Sequence, residues 1–219
     1  MVYYEHEHSE AQVNFLYLHG FGSSPAAKKG VAFSEHFAPR GIAFERVDLR
    51  VPSPARLRLS AMIEAARARV GERAIVVGSS LGGLTASRLA EREPRVAALL
   101  LLAPAFQLAR RWRAALPGFA DWQRTGFRTV TSSSGDVHEL DYGFVEDVEA
   151  IDVGFPDVRV PTLIFHGRRD DAVPIEHSRE FVASHPDARL VELDDNHELV
   201  DSLPIILPEA ERFFATIDA

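Results

Sequence analysis

The sequence predicts an α/β fold in which helices cover both faces of a doubly wound, mostly parallel β-sheet. Short apolar, β-branched runs recur along the chain, and they are continuous rather than alternating, which indicates strands buried on both faces. Segments with helical periodicity separate these runs, as in a parallel sheet with right-handed crossovers. At 219 residues, 46% of them hydrophobic, the chain is expected to form a single domain over residues 1–219.

Six runs are expected to form the strands: VNFLYL, IAFERVDL, AIVVG, VAALLLLAP, PTLIFH and ARLVEL. Between and after them, PARLRLSAMIEAARARV, SLGGLTASRLAERE and PEAERFFATI have the spacing of amphipathic helices. Their predicted buried faces are Leu57, Ala61, Ala65 and Ala68 in the first, Leu81, Leu84 and Leu89 in the second, and Phe213, Phe214 and Ile217 in the third.

Residues 104–160 interrupt this alternation. They contain no clean strand pattern, but they are rich in aromatic residues and include the polar stretch TVTSSSGDVHEL. An insertion of this length in a compact fold is more often functional than not, so we expect a lid or cap over a site. Four of its aromatic residues are candidates to line an apolar substrate pocket, with packing inside the lid as the alternative: Phe106, Trp112, Trp122 and Phe144.

Composition excludes several classes of function. The net charge of −8 argues against a nucleic-acid or anionic-membrane partner, and the absence of cysteine excludes disulfides, thiolate metal sites and a cysteine nucleophile. MVYYEHEHSEAQ lacks the basic start and apolar core of a signal peptide, and no run is long enough to span a membrane. We therefore expect a soluble, cytoplasmic protein with a small-molecule substrate and no integral membrane association. Lysine occurs only at Lys28 and Lys29, to which the sequence assigns no function.

A candidate nucleophile lies in VVGSSLGG. Gly78, Ser80 and Gly82 fit the pattern Gly-x-Ser-x-Gly, between a predicted strand and a predicted helix. This is the setting of a nucleophile elbow, where glycines let the chain reverse sharply and expose the serine hydroxyl. The alternative is a glycine-rich turn that only allows close packing. The pattern predicts Ser80, rather than Ser79, as the nucleophile.

A serine nucleophile needs a base and an orienting acid, which follow it in the order Ser, Asp, His in this kind of site. Asp170 and Asp171 come directly after the strand PTLIFH, and His197 follows the strand ARLVEL. His19 and His166 each end a strand before a glycine, and we expect their rings to hydrogen-bond neighbouring loops. The remaining histidines are expected at the surface: His6, His8, His36, His138, His177 and His185.

The oxyanion of a tetrahedral intermediate needs two donors. The backbone N–H of Leu81, directly after the candidate nucleophile, is expected to be one of them. The other is expected from the early loop LYLHGFGSSP, where Gly20 and Gly22 let the N–H of Phe21 point to the same place. An ordinary turn after the first buried strand is the alternative for this loop.

Four segments together resemble the α/β-hydrolase superfamily over nearly the whole chain: LHGFGSSP, GSSLGG, HGRRDDAVP and DNHELVD. HGFGSSPAAKKG, DWQRTGF and LDYGFVEDV are similar to small YqiA-like esterases and to acyl-protein thioesterases with a short lid. The resemblance implies hydrolysis of an ester or thioester, without metal or organic cofactor. It also implies that Asp170 rather than Asp171 is the acid, because the acid loop has the form HG-x-x-D-x-x-V-P.

Two other functions remain open. The same three residues could act on a peptide, a lactone or a carbon–carbon bond, and the lid acids Glu146, Asp147 and Glu149 could mark a substrate amine for an aminopeptidase. Proteins of this fold also serve as non-catalytic binding proteins, because a fold does not prove an activity.

Overall fold

The computed structural model describes residues 12–217, so His6 and His8 lie outside the described residues. Its main sheet has six strands, all parallel, formed by the six runs expected from the sequence. In chain order these strands are β1 Val13–Leu18, β2 Phe44–Val47, β3 Arg73–Ser79, β4 Val96–Leu102, β7 Thr162–Gly167 and β8 Ala188–Leu193. Across the sheet the order is β2-β1-β3-β4-β7-β8. The predicted fold class is confirmed.

Eight α-helices and one short 3₁₀ helix are found among residues 12–217. They are α1 Lys28–Phe37, the 3₁₀ turn Ala38–Arg40, α2 Leu59–Arg67, α3 Leu81–Ala90, α4 Leu108–Ala115, α5 Phe119–Thr125, α6 Gly143–Ile151, α7 Ile175–Ser184 and α8 Leu203–Ala215. None of the helices described is both long and apolar enough to cross a membrane.

Hydrophobic side chains from the two faces of the sheet enter two separate cores. In β1, Leu16 and Leu18 point to one face, where α2 and α3 pack. Phe15 and Tyr17 point to the other face, among apolar side chains of α1 and α8. This alternation is that of a strand covered on both sides, which explains why its sequence reads as a continuous apolar run.

The buried face of α2 differs from the prediction. Leu57 is buried, but Ala61 and Ala65 are only partly buried and Ala68 is exposed. The face in the core consists of Leu59, Met62, Ile63 and Ala66. The larger apolar side chains take the core positions because they remove more apolar area from water than alanine does.

The segment between β4 and β7 carries α4, α5, a two-stranded antiparallel hairpin and α6. The hairpin consists of β5 Phe127–Thr131 and β6 Val137–Asp141, so the expectation of no strand in this region is wrong. Its strands are mostly polar and partly exposed, and they pair with each other rather than with the main sheet. They therefore lack the apolar runs by which the other strands were identified. The role of residues 104–160 as a lid stays a prediction.

The sheet reverses its winding between β1 and β3. β2 lies on one side of β1, and β3 lies on the other, with Leu18 of β1 paired beside Gly78 of β3. Parallel strands end at the same edge, and ligands of open α/β sheets bind at such a reversal. The loop after β1 and the turn after β3 are consequently neighbours.

Candidate active site

Ser80 lies at the sharp turn between β3 and α3. Its backbone has φ 54° and ψ −115°, a conformation that side-chain-bearing residues rarely adopt. The turn is held on both sides, because the N–H of Ser80 donates to the carbonyl of Leu102 at 2.9 Å and its own carbonyl accepts from Gly83 and Ala105. Strain kept in place by surrounding structure is typical of functional positions.

The glycines on either side of Ser80 are required by packing. A Cβ at Gly82 would overlap the carbonyl oxygen of Leu18 and lie 2.7 Å from that of His19. A Cβ at Gly78 would overlap the carbonyl of Gly82. The start of α3 therefore lies directly against the end of β1, a distance that only glycine permits.

The structure brings Ser80, His197 and Asp170 together in one hydrogen-bonded chain. Oγ of Ser80 is 3.0 Å from Nε2 of His197, and Nδ1 of His197 is 2.7 Å from Oδ2 of Asp170. Asp171, the neighbouring candidate, is exposed. A serine–imidazole–carboxylate chain of this geometry can pass the serine proton to the ring.

The carboxylate of Asp170 is fully buried and accepts from several donors. Oδ1 accepts from the backbone N–H groups of Ala172 and Val173 at 2.9 and 2.7 Å. Oδ2 is shared by His197 and by Nε2 of His166, which is 3.1 Å away. Burial alone would raise the pKa of Asp170, but the hydrogen bonds from His166, His197 and Val173 outweigh it and hold the pKa well below its usual range. The acid is therefore ionised at neutral pH.

The loop that carries His197 is fixed by Asp195. The buried carboxylate of Asp195 accepts from the N–H groups of Asn196 at 2.7 Å and Ser202 at 3.0 Å. The loop also packs on the end of β7, where a Cβ at Gly167 would lie 2.6 Å from the carbonyl oxygen of Asn196. These contacts order the histidine loop against the acid loop.

The loop after β1 lies against the candidate nucleophile. A Cβ at Gly20 would be 3.3 Å from Cβ of Ser80. Among residues 12–217, the backbone N–H groups of Phe21 and Leu81 donate to no other protein group. Neither predicted oxyanion donor therefore has a protein acceptor among these residues.

His19 ties this loop to the end of β2. Its buried ring donates from Nδ1 to the carbonyl of Gly20 at 3.0 Å and accepts at Nε2 from the N–H of Leu49, also at 3.0 Å. Burial lowers the pKa of His19, while the hydrogen bond to Gly20 and the Asp48 carboxylate act in the opposite direction. Both His19 and His166 thus hydrogen-bond neighbouring loops, as expected from the sequence.

Two cavities flank the loop at Gly20 and Phe21. The smaller, of about 50 Å³, has an apolar part formed by Leu49, Pro54, Leu57, Met62, Leu81 and Val130. The larger, of about 720 Å³, contains Ser80 and His197 and is lined by Tyr17, Lys28, Lys29, Glu198 and serines of two loops. Gly20 and Phe21 border both cavities, whereas Ser80 lines only the larger one.

None of the four aromatic residues predicted to contact substrate lines either cavity. Phe106, Trp122 and Phe144 are buried in the core, and Trp112 is partly buried against it. Phe106 stacks on Phe181 with ring centroids 4.7 Å apart, and the indole N–H of Trp122 donates to the carbonyl of Leu140. The placement favours packing over substrate contact, because the four rings pack against other aromatic side chains, with Trp112 and Phe144 against Phe21.

The sequence did not indicate three parts of this site: Lys29 in the wall of the larger cavity, Asp195 in the loop of His197, and the hairpin tip, residues 132–136 between β5 and β6. Ser133 of the tip donates its N–H to the carbonyl of Gly22 at 2.7 Å, so residues 104–160 reach the loop after β1. No pattern of spacing connects these residues to Ser80. Within the described part of the chain, no group of three or more His, Asp or Glu side chains could hold a metal ion.

Comparison with known proteins matches the chain over most of its length. The model of UPF0227, described as an uncharacterised protein family, matches residues 14–210. Among proteins with curated descriptions, none matches significantly.

Several solved structures have the same fold. Alpha/beta hydrolase domain-containing protein 10 from mouse is 21% identical, with a TM-score of 0.78, over 93% of this chain and 90% of that one. Est1E from Butyrivibrio proteoclasticus, solved with ferulic acid, is 22% identical, with a TM-score of 0.78, over 94% and 90%. The Pyrococcus furiosus esterase Pf2001 is 18% identical, with a TM-score of 0.69, over 95% and 85%. The predicted α/β-hydrolase fold is confirmed.

Proposed function

The chain belongs to the UPF0227 family, and from that premise and the hydrogen-bonded chain of Ser80, His197 and Asp170 we propose that it is a serine hydrolase of carboxylic esters or thioesters. The single observation that carries the proposal is this chain of two hydrogen bonds, 3.0 and 2.7 Å long, which ends on a buried, ionised carboxylate. The esterase names of similar structures agree with it.

In the proposed mechanism, Oγ of Ser80 attacks the carbonyl carbon while Nε2 of His197 takes the hydroxyl proton. Asp170 keeps the ring in the tautomer with its proton on Nδ1 and stabilises the imidazolium that forms. The N–H groups of Phe21 and Leu81 hold the oxyanion of the tetrahedral intermediate.

The intermediate collapses by breaking the bond to the alcohol or thiol, which leaves with the proton from Nε2 of His197. The acyl group remains as an ester on Ser80. A water molecule then attacks this ester as His197 takes its proton, and a second collapse releases the carboxylic acid and restores the Ser80 hydroxyl. Every proton therefore passes through the same ring nitrogen.

We further propose that the smaller cavity holds the acyl group and that residues 104–160 act as a lid. The cavity borders Leu81, whose N–H is a proposed oxyanion donor, and part of its lining is apolar. Val130 and Ser132, from β5 and the turn after it, also line it. A small apolar cavity at this place suits a short acyl chain.

Two observations bear on the other reactions considered. Glu146, Asp147 and Glu149 line neither cavity, and Asp147 instead accepts from the N–H and hydroxyl of Ser60. They are therefore not placed to mark the amine of a peptide substrate. A protein that only binds ligands would have no activated serine, which the experiment below detects.

The test is hydrolysis of p-nitrophenyl esters from acetyl to palmitoyl and of matched acyl thioesters, together with labelling by a fluorophosphonate. We expect turnover and labelling in the wild type and neither in Ser80→Ala. Ser87→Ala is the matched control, because that hydroxyl only donates to the carbonyl of Gly83 within α3. Wild-type rates in Ser80→Ala would contradict the proposal.

A further inference from the structure

The two lysines of the chain both lie in the wall of the larger cavity. Of the 24 Lys and Arg residues, only Lys28 and Lys29 are lysines. They are the first two residues of α1 and line the same cavity as Ser80 and His197. Lys28 is exposed at the rim, whereas Lys29 is buried, with only 8% of its surface exposed. Of the acidic residues described, only Glu198, at the exposed rim, lines the same cavity.

The ammonium group of Lys29 has donors to spare. It donates one hydrogen bond, to the backbone carbonyl of Glu198 at 2.8 Å, and the described residues offer it no second acceptor. Because an ammonium group carries three N–H bonds, two of them find no partner among residues 12–217. Burial lowers the pKa of Lys29, and the carboxylates of Glu198, Asp170 and Asp195 act in the opposite direction.

A second buried donor lines the cavity beside Lys29. The side chain of Tyr17 is 1% exposed, and its hydroxyl lies near that of Ser79 but makes no well-aligned hydrogen bond within residues 12–217. Burial raises the pKa of Tyr17, so the phenol keeps its proton and can donate it. Buried polar groups without partners are uncommon in proteins, because each loses its hydrogen bonds to water without replacement. Tyr17 and Lys29 therefore offer donors to an acceptor bound in the same cavity.

The position of His197 indicates which part of a substrate would supply this acceptor. His197 lines the larger cavity but not the smaller one. In the proposed mechanism its Nε2 gives a proton to the leaving alcohol or thiol, so the leaving group must face the larger cavity.

We propose that the larger cavity binds an anionic oxygen group, a carboxylate or a phosphate, on the alcohol or thiol part of the substrate, with Lys29 and Tyr17 as its hydrogen-bond donors and Lys28 as an attracting charge at the rim. This inference rests on the proposed function, since it adds the chemistry of the leaving group to the same site. The preferred substrate is an ester with a short apolar acyl group on an anionic alcohol.

The test compares butyryl esters that differ in one ring substituent: anionic 3-butyryloxybenzoate and 3-butyryloxyphenyl phosphate, and neutral 3-butyryloxybenzamide. We expect the wild type to prefer an anionic ester to the amide by about tenfold or more in kcat/KM, as one hydrogen bond to a charged group allows. Comparison of kcat/KM for the carboxylate ester and the phosphate ester shows which anion the cavity binds better. Equal kcat/KM for all three esters would overturn the inference.

Substitutions in the larger cavity test whether the preference for anionic esters arises there. Tyr17→Phe removes one oxygen atom, and Lys28→Met removes the charge at the rim; each is expected to reduce the ratio of anionic to neutral kcat/KM at least severalfold. Arg92→Met is the matched control, because it removes one positive charge from an exposed side chain just after α3. The inference would be contradicted if Tyr17→Phe and Lys28→Met left this ratio unchanged. It would also be contradicted if Arg92→Met reduced the ratio equally.

A binding measurement separates this inference from the proposed function. In a Ser80→Ala background, calorimetry of 3-hydroxybenzoate, 3-hydroxyphenyl phosphate and 3-hydroxybenzamide reports the anion site without turnover. We expect tighter binding of an anionic product than of the amide, and loss of that difference when Tyr17→Phe is added. If no ester is hydrolysed and no serine is labelled, the proposed function fails while these affinities still decide the anion site; equal affinities would overturn it.

Discussion

His166 and His197 share one oxygen of Asp170. Nε2 of His166 lies 3.1 Å from Oδ2 of Asp170, and Nδ1 of His197 lies 2.7 Å from the same atom. Nε2 of His166 also contacts the carbonyl of Val173 at 3.0 Å, which only accepts, so this nitrogen carries the proton and donates. The other ring nitrogen, 2.8 Å from Oγ of Ser178, then accepts from that hydroxyl. His166 is therefore a positioning residue for the acid.

Replacing His166 is expected to lower kcat without raising KM. His166→Leu removes the ring N–H that lies 3.1 Å from the buried Asp170 carboxylate and is shared with the Val173 carbonyl, and we expect kcat to fall by about tenfold to a hundredfold. His166→Gln can place an amide N–H near the position of Nε2 and is expected to recover part of that loss. The measurement is steady-state kinetics on a p-nitrophenyl ester, with thermal unfolding to check folding. Equal losses in both variants would contradict a role through the hydrogen bond.

The two neighbouring aspartates are expected to differ sharply. Asp170→Asn keeps the size of the side chain but removes the negative charge that orients and stabilises the ring of His197, so kcat is expected to fall by about 10⁴-fold. Asp171→Asn alters an exposed side chain and is expected to change kcat by about twofold or less. Kinetics of the pair on one ester decides the assignment; a larger effect in Asp171→Asn would reverse it.

The loop after β1 should be intolerant of a methyl group at Gly20. In Gly20→Ala the new Cβ would be 3.3 Å from Cβ of Ser80 and 3.4 Å from the carbonyl oxygen of Ser79, closer than most real contacts. We expect the loop to shift by a few tenths of an ångström, and the N–H of Phe21 to shift with it. Loss of one oxyanion donor predicts a fall in kcat of about a hundredfold or more. Wild-type kcat in a folded Gly20→Ala protein would remove Phe21 from the mechanism.

The size of the smaller cavity predicts the acyl preference. Each methylene group that enters an apolar cavity gains about 0.8 kcal/mol, roughly fourfold in kcat/KM, until the space is full. Val130→Phe fills the cavity from the hairpin and is expected to lower kcat/KM for butyrate far more than for acetate. Val137→Phe, on the same hairpin but 63% exposed and outside both cavities, is the control. The same chain-length profile in both variants would place the acyl group elsewhere.

The parallel sheet, and the contact of Ser80 with His197 and of His197 with Asp170, could be predicted because each residue follows a strand of that sheet in a fixed order. Strands with continuous apolar runs are recognisable, and parallel strands bring their carboxyl ends to one edge. The choice of Asp170 over Asp171 needed the resemblance, because both follow the same strand.

Other features could not be predicted, for physical reasons. The hairpin of residues 127–141 pairs with itself and is partly exposed, so no apolar run marks it. The contact of His166 with Asp170 spans a loop, where a separation of four residues carries no fixed geometry, unlike in a helix. Lys29 reaches the carbonyl of Glu198 from a distant part of the chain, and only the packing of α1 on the sheet brings the two together.

The buried ring of His19 predicts a dependence of stability on pH. The pKa of His19 in the folded protein lies below the ordinary histidine value of 6.5, chiefly because burial disfavours the charged ring, so the unfolded chain binds the proton more readily. The stabilisation is therefore fully present above about pH 6.5 and is lost as the pH falls below that value. Protonation of Nε2 would also remove the acceptor for the N–H of Leu49.

Urea unfolding at pH 5, 6, 7 and 8 measures this dependence. Below pH 6.5 the free energy of unfolding should fall more steeply in the wild type than in His19→Gln, which lacks the titrating group. His177 also has a lowered pKa and contributes equally to both proteins, so the difference between them isolates His19. Identical pH profiles would mean that His19 titrates alike in the folded and unfolded chains.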